Sequence, residues 1–265
     1  MRHLILIIGL WSLIILGANL VELYPLSIFL VLPILGVLQH NLAYFAHDGA
    51  HFSIFPQSHN VNNFIAQWIL FAPFLVDLKS YRKWHNKHHA YIGTEKDPEY
   101  ELKMLAPKKY APPAINSIKK IYILDSLGMG AREVILFLKI ISDKKAYISI
   151  ILRYLIVWGT LFGIGILSGL YSPGILISMW TISVFTTFWA SLRLRTFYEH
   201  YNLDNLSGNK NQNHLTYVGP IPMIVKILTV WWAPYHWHHH KNPAISCFDL
   251  HNIKLDMNDK SSLAS

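Results

Sequence analysis

The sequence predicts an all-α integral membrane protein, with four transmembrane helices and its histidine groups on the cytoplasmic side. Three observations predict it. Hydrophobic residues make up 52% of the 265 and charged residues only 14%, well below the quarter usual in soluble domains. Four apolar runs are long enough to cross a bilayer core, which takes about 20 residues. Histidines gather at helix-compatible spacing where those runs end. The chain reads as one domain, 1–265.

The first run is 4–23, interrupted only by Trp11, Ser12, Asn19 and Glu22. A cleaved signal peptide would explain it alone, with Arg2 as the positive start. A second run, 26–46, follows after Tyr24 and Pro25, so a hairpin of two spans accounts for both. Residues 62–78 are shorter and contain Pro73, which fits a re-entrant or interfacial segment as well as a compressed span. The third and fourth spans are 147–170 and 174–192. Residues 221–233 are apolar but too short to cross, and are expected to dip into the interface.

Charge gives the orientation. Of 23 Lys and Arg, 14 lie between Lys79 and Lys145. A basic stretch in a soluble chain would raise nucleic acid as a partner. Between apolar spans it reads instead as a cytoplasmic loop, and no nucleic-acid partner is expected. The links Tyr24-Pro25 and Tyr171-Ser172-Pro173 carry no charge and go to the outside. All the histidine groups then fall on the cytoplasmic side. Within the loop, 103–120 is rich in Pro and Lys and is expected along the membrane surface. Residues 124–141 read as an amphipathic surface helix. The polar stretches 206–214 and 252–265 read as loop and tail. Cys247 is the one cysteine, so no intrachain disulfide and no Cys-rich metal site is available.

The histidines hold the chemistry. His85, His88 and His89 stand at i, i+3 and i+4, and His236, His239 and His240 repeat that spacing. His47 and His51 are an i, i+4 pair, and His200 closes the stretch RTFYEH. On a helix, such positions share a face within one turn. Nine clustered imidazoles exceed the needs of one zinc, which takes three or four, and suggest two metal ions. His3, His59, His214 and His251 stand alone and read as packing or surface residues. His40 reads as a packing or supporting group, and His238 points away from its three neighbours. Asp48 and Glu199 adjoin candidate ligands, and Asp97 follows the second group. Such acids commonly take the outward N–H of a ligating imidazole.

HDGAH at 47–51, HNKHH at 85–89 and HWHHH at 236–240 resemble the three histidine boxes of the membrane fatty acid desaturase–hydroxylase superfamily. RTFYEH at 195–200 resembles that superfamily's additional histidine motif, and GTEKDPE after the second group resembles its continuation. The resemblance covers about residues 35 to 245. It implies a four-helix transmembrane stalk and cytosolic cap, and two iron ions held by His47, His51, His85, His88, His89, His200, His236, His239 and His240. It implies O2 as oxidant, a lipid substrate entering from the bilayer, and a separate electron donor of the ferredoxin or cytochrome b5 type. The expected reaction is desaturation of a membrane-borne acyl chain. FYEHYNL is also similar to a stretch of alkane hydroxylases, and the second box with its GT-x-x-DP tail to carotenoid ketolases. Hydroxylation or ketolation of a carotenoid, alkane or other lipid is therefore the alternative. A metal transporter would place its ligands inside the spans. Here the span interiors are free of charge apart from Arg153.

Overall fold

A computed structural model describes residues 1–92, 94, 96–99, 118–200, 222–232 and 235–252. The described residues are helical, with no strand among them. Four helical stretches are long and apolar enough to cross a membrane: Arg2–Leu23, Pro25–Ala50, Lys144–Ser168 and Pro173–Glu199. Large apolar side chains stand exposed along them, Ile8 at 66% and Leu167 at 90% among them. In water such a surface would drive association; against lipid it is the solvated face.

The first hairpin is α1 (Arg2–Leu23) and α2 (Ile28–Ala50). α2 runs past the expected end of its span at 46 and carries His47 in its last turn, with His51 as its C-cap. The polar residues near its end stay helical because packing decides over propensity there: Gln39, His40, His47 and Asp48 are all buried.

The 62–78 segment is not one helix. α3 (His59–Phe64), capped by the Ser58 hydroxyl, winds wider into a π-helical stretch over Ile65–Phe71 and tightens into a 3-10 turn at Ala72–Phe74. Leu75 then turns left-handed at φ 60°. The next helix, α4 (Leu78–Tyr91), starts with the Asp77 carboxylate accepting from the Ser80 backbone N–H at 2.8 Å. The two halves meet at 90°, the shape of a re-entrant segment or a broken span. The turn is tied to the stalk, where Trp180 Nε1 donates to the Pro73 carbonyl at 3.0 Å. Trp180 also stacks on Trp11, with 5.0 Å between ring centroids, and meets the edge of Trp158 at 5.3 Å.

The expected surface helix over 124–141 is two helices, α5 (Ile118–Ser126) and α6 (Ala131–Ile141). The sequence between them explains the break. Gly128 takes a positive φ of 88°, and a Cβ on Gly130 would fall 2.4 Å from the Trp189 ring. α6 is amphipathic as expected, with Arg132 and Lys139 outward and Val134 and Ile141 buried. The expectations for 103–117, 206–214 and 253–265 lie outside the described residues.

α7 (Tyr147–Ser168) closes on Gly169 in the left-handed conformation. The fourth span is broken as well, into α8 (Pro173–Phe185) and α9 (Thr187–His200), around Thr186. The Thr187 hydroxyl leaves its own helix and donates to the Leu32 carbonyl of α2 at 2.8 Å. α9 therefore carries the segment after 192 onward as helix, and Arg193, Arg195 and Glu199 with it. Of the expected interfacial segment 221–233, residues Met223–Leu228 form a short helix, α10. α11 (His236–Lys241) follows.

Candidate metal centre

Three helix ends converge beneath the stalk: that of α2, most of α4, and α11. They form two groups of imidazoles. His47, His51, His85, His89 and His239 have ligand atoms within 4.8 Å of one another, and so do His88, His236 and His240. Within the first, Nε2 of His89 lies 2.9 Å from Nε2 of His85 and 3.2 Å from Nε2 of His239. Within the second, Nε2 of His236 and His240 are 3.0 Å apart.

The division corrects one detail of the spacing argument. The i, i+3, i+4 histidines do not all serve one group. Around a helix, i+4 lies about 40° to one side of i and i+3 about 60° to the other. His85 and His89 turn to the first group while His88 turns to the second. α11 does the reverse, sending His236 and His240 to the second group and His239 to the first. Each helix thus gives two imidazoles to one group and one to the other. His238 belongs to neither and packs near Tyr235, as its outward register requires. His200 ends α9, and its side chain lies outside the described residues.

The donor set suits a cation. Nε2 of buried His47 and Nε2 of His51 have no hydrogen-bond partner, and Nε2 of His89 faces Nε2 of His85 and of His239. Burying polar nitrogens without partners is costly, and coordination to a metal would satisfy them. Burial, followed by the neighbouring imidazoles, holds His85 and His239 well below the usual histidine range. The same causes bring His51 down to about 3 and His89 to about 2. At neutral pH these rings are uncharged, the form that donates a lone pair. The set of nitrogens suits iron, copper or zinc rather than a hard cation such as magnesium or calcium.

The three acids singled out in the sequence each stand beside a grouped histidine. Asp97 Oδ1 is 3.0 Å from His88 Nδ1. Glu199 Oε1 is 3.6 Å from His236 Nδ1, while its Oε2 is 3.0 Å from Arg195 Nε. Asp48 Oδ1 is 3.8 Å from His47 Nδ1. Its other oxygen pairs with His3 Nε2 at 2.9 Å and accepts the Cys247 backbone N–H at 3.1 Å. His3, Asp48 and Cys247 lie close enough to be a third ligand group. Burial and the Asp48 carboxylate push the Cys247 thiol far up, however, so it stays protonated and the trio is a hydrogen-bonded tie.

The chain matches the fatty acid desaturase family model over residues 24–261. It belongs to that family. Comparison with curated proteins found no match. Membership makes the chain an oxidoreductase of the desaturase–hydroxylase superfamily, with histidine clusters able to bind metal and four helices suited to a membrane.

Four residues around this desaturase-family site escape a reading by motif. His3 is an isolated histidine 44 positions before His47, with no sequence signal. Arg195 precedes Glu199 by one helical turn, a signal that was available. Its guanidinium also lies over the Tyr44 ring, 5.2 Å from the centroid. Arg82 and Glu99 flank the second box at close range. Of the other histidines, His40 is fully buried near Phe188 and His59 stacks on Phe52.

Proposed function

We propose that the protein is an O2-dependent desaturase of a membrane-borne acyl chain, with two iron ions bound on the cytoplasmic side. One observation carries this reading: two separate imidazole groups, of five and three among the described residues, in a chain of the fatty acid desaturase family. Nitrogen donors alone would also suit zinc, but zinc has no redox chemistry. An iron pair would use O2, two electrons and two protons to take one hydrogen from each of two adjacent methylenes, leaving a double bond and two waters.

In this reading the chain's own residues hold, orient and shield. His47, His51, His85, His89 and His239 bind one iron; His88, His200, His236 and His240 bind the other. Asp97 accepts the outward Nδ1–H of His88 and Glu199 faces that of His236, which fixes their tautomers and turns Nε2 to the metal. Asp48 stands at His47 in the same relation, steadied by His3. Tyr44, Trp232 and Phe188, at the inner ends of the spans, supply apolar walls for a chain entering from the lipid and keep water away. The Lys and Arg excess between residues 79 and 145 supports the cytoplasmic orientation. The electrons come from a separate carrier of the ferredoxin or cytochrome b5 type.

The test is mass spectrometry of lipid and pigment extracts from cells expressing the wild type or His85→Ala. A product lighter by two hydrogens, present only with the wild type, is expected. A product that gains oxygen would move the protein to the hydroxylase–ketolase branch of the superfamily. With a supplied donor and a supplied acyl lipid, an unchanged extract would sink the desaturase reading.

A further inference from the structure

Among the described residues the two imidazole groups hold five rings and three, and the smaller one, to which His200 is assigned above, has a carboxylate at its edge. His88 fixes the geometry. Its Nδ1 is engaged by Asp97 at 3.0 Å, so Nε2 is the nitrogen that faces a metal. Glu99 Oε1 lies 3.9 Å from that Nε2. Two donors about 2.1 Å from one metal stand about 3.0 Å apart when adjacent in an octahedron and about 4.2 Å when opposite. The observed separation falls inside that span.

This placement is built by the chain. Asp97 Oδ1 pairs with the His88 ring and also accepts the Glu99 backbone N–H at 2.9 Å. One carboxylate oxygen therefore sets the ligand histidine and the start of the Glu99 side chain together. An acid in a solvated turn would point to water, whereas the Glu99 side chain is only 16% exposed. The guanidinium of Arg195 lies within electrostatic reach of both Glu99 and Glu199. It balances the second negative charge that a buried site would otherwise hold unpaired. Among the described residues no such acid stands at the larger group. The nearest there, Asp48, faces Nδ1 of His47 and is held by His3 and Cys247.

We propose that Glu99 supplies a carboxylate ligand to the metal position formed by His88, His236 and His240, so that the two metals differ in their donor atoms. This rests on the reading of two metal positions above. An anionic oxygen ligand stabilises the more oxidised metal, so the two positions would differ in potential.

The experiment is iron-57 Mössbauer spectroscopy and iron counting on the full-length protein in detergent, with the release of iron to a chelator followed in time. The wild type is expected to hold about two irons in two distinct spectral components. In Glu99→Gln one component changes, and that iron leaves at least about tenfold faster, while the other component keeps its parameters. Glu99→Asp keeps the charge on a shorter arm; it should retain both irons and release one at an intermediate rate. It also decides the matter if the glutamine variant does not purify. Unchanged components and unchanged release in Glu99→Gln, or wild-type release in Glu99→Asp where only that variant purifies, overturn the inference. A wild type that binds no iron pair would instead overturn the reading it rests on.

Discussion

Arg82 closes the helix that carries His47: its Nε donates to the Ala50 carbonyl at 2.7 Å. One Nη reaches the Gly49 carbonyl at 3.3 Å and Asn63 at 2.8 Å, and the guanidinium lies 4.0 Å over the Phe52 ring. The helix of the second histidine box thereby caps the helix of the first. Helix-end carbonyls have no partner within their own helix, and here a cation supplies one. Removing it should cost about 2 kcal/mol, the scale of hydrogen bonds to a charged group. Arg82→Ala is expected to melt several degrees lower and to lose metal more readily. Arg82→Lys should recover little of either, since an ammonium cannot bridge the same carbonyls while stacking on a ring. A lysine variant equal to wild type would show that charge alone suffices.

Acid should loosen the centre before it unfolds the stalk. His51 and His89 are held at about 3 and about 2, with His85 and His239 also far down. Unfolded, such groups bind protons below about pH 6.5. Folded, they do not, so the unfolded state gains protons first and stability falls as pH drops through that value. Each group contributes about 1.4 kcal/mol per pH unit between its unfolded and folded pKa. Melting of the metal-free protein from pH 8 to pH 5 should be flat above about pH 6.5 and fall below it. His85→Gln should lessen the slope. A flat profile throughout would mean that these rings are already protonated in the fold.

Gly36 is where two spans touch. A Cβ there would fall 2.5 Å from the Thr187 carbonyl carbon and hydroxyl, and 2.7 Å from the Phe188 nitrogen. Backbone cannot swing aside as a side-chain tip can, so Gly36→Ala should force α2 and α9 apart. Overpacking of this kind costs about 1–3 kcal/mol. Because α2 carries His47 in its last turn and α9 carries Glu199, bound metal should fall along with melting temperature. Gly9→Ala and Gly159→Ala, with nothing within 4 Å, are the matched controls and should be neutral or slightly stabilising.

Arg193 fixes the α5–α6 pair to the stalk. Its guanidinium pairs with Asp125 of α5 and Glu133 of α6, and both it and Asp125 are buried. Taking away the cation leaves Asp125 charged in an apolar place, worth about 3–5 kcal/mol. Arg193→Met is expected to expose α5 and α6 to protease. The triple variant Arg193→Met, Asp125→Leu, Glu133→Leu should be milder, because no charge is then stranded. Equal damage in both would point to shape rather than charge.

The spans were legible because a bilayer demands a fixed run of apolar residues, which any window along the chain reveals. The histidine pairing was legible because imidazoles one helical turn apart leave a short-range signature. What the sequence hid depends on contacts between distant segments. The break at Thr186 arises from a hydroxyl bonding to Leu32, 155 positions away. The exchange of one histidine each between α4 and α11 follows from how the two helices face each other. His3 gains its place only because α1 begins beside Asp48. Residues 124–141 looked like one helix since their apolar period survives the interruption; Gly130 there answers to Trp189, and Gly128 to a left-handed turn.

α2 runs without a break from the membrane span to the first histidine pair, and this makes it a ruler. Its length sets how far the oxidising centre stands from the middle of the bilayer, at about 1.5 Å per residue. A lipid anchored by its headgroup at the surface presents each carbon at its own depth. Under the proposed function, the carbon attacked would then be counted off in helical residues. Lengthening α2 by one residue would turn His47 by about 100° and ruin the centre, while a whole turn would keep the ring directions and move the reaction along the chain.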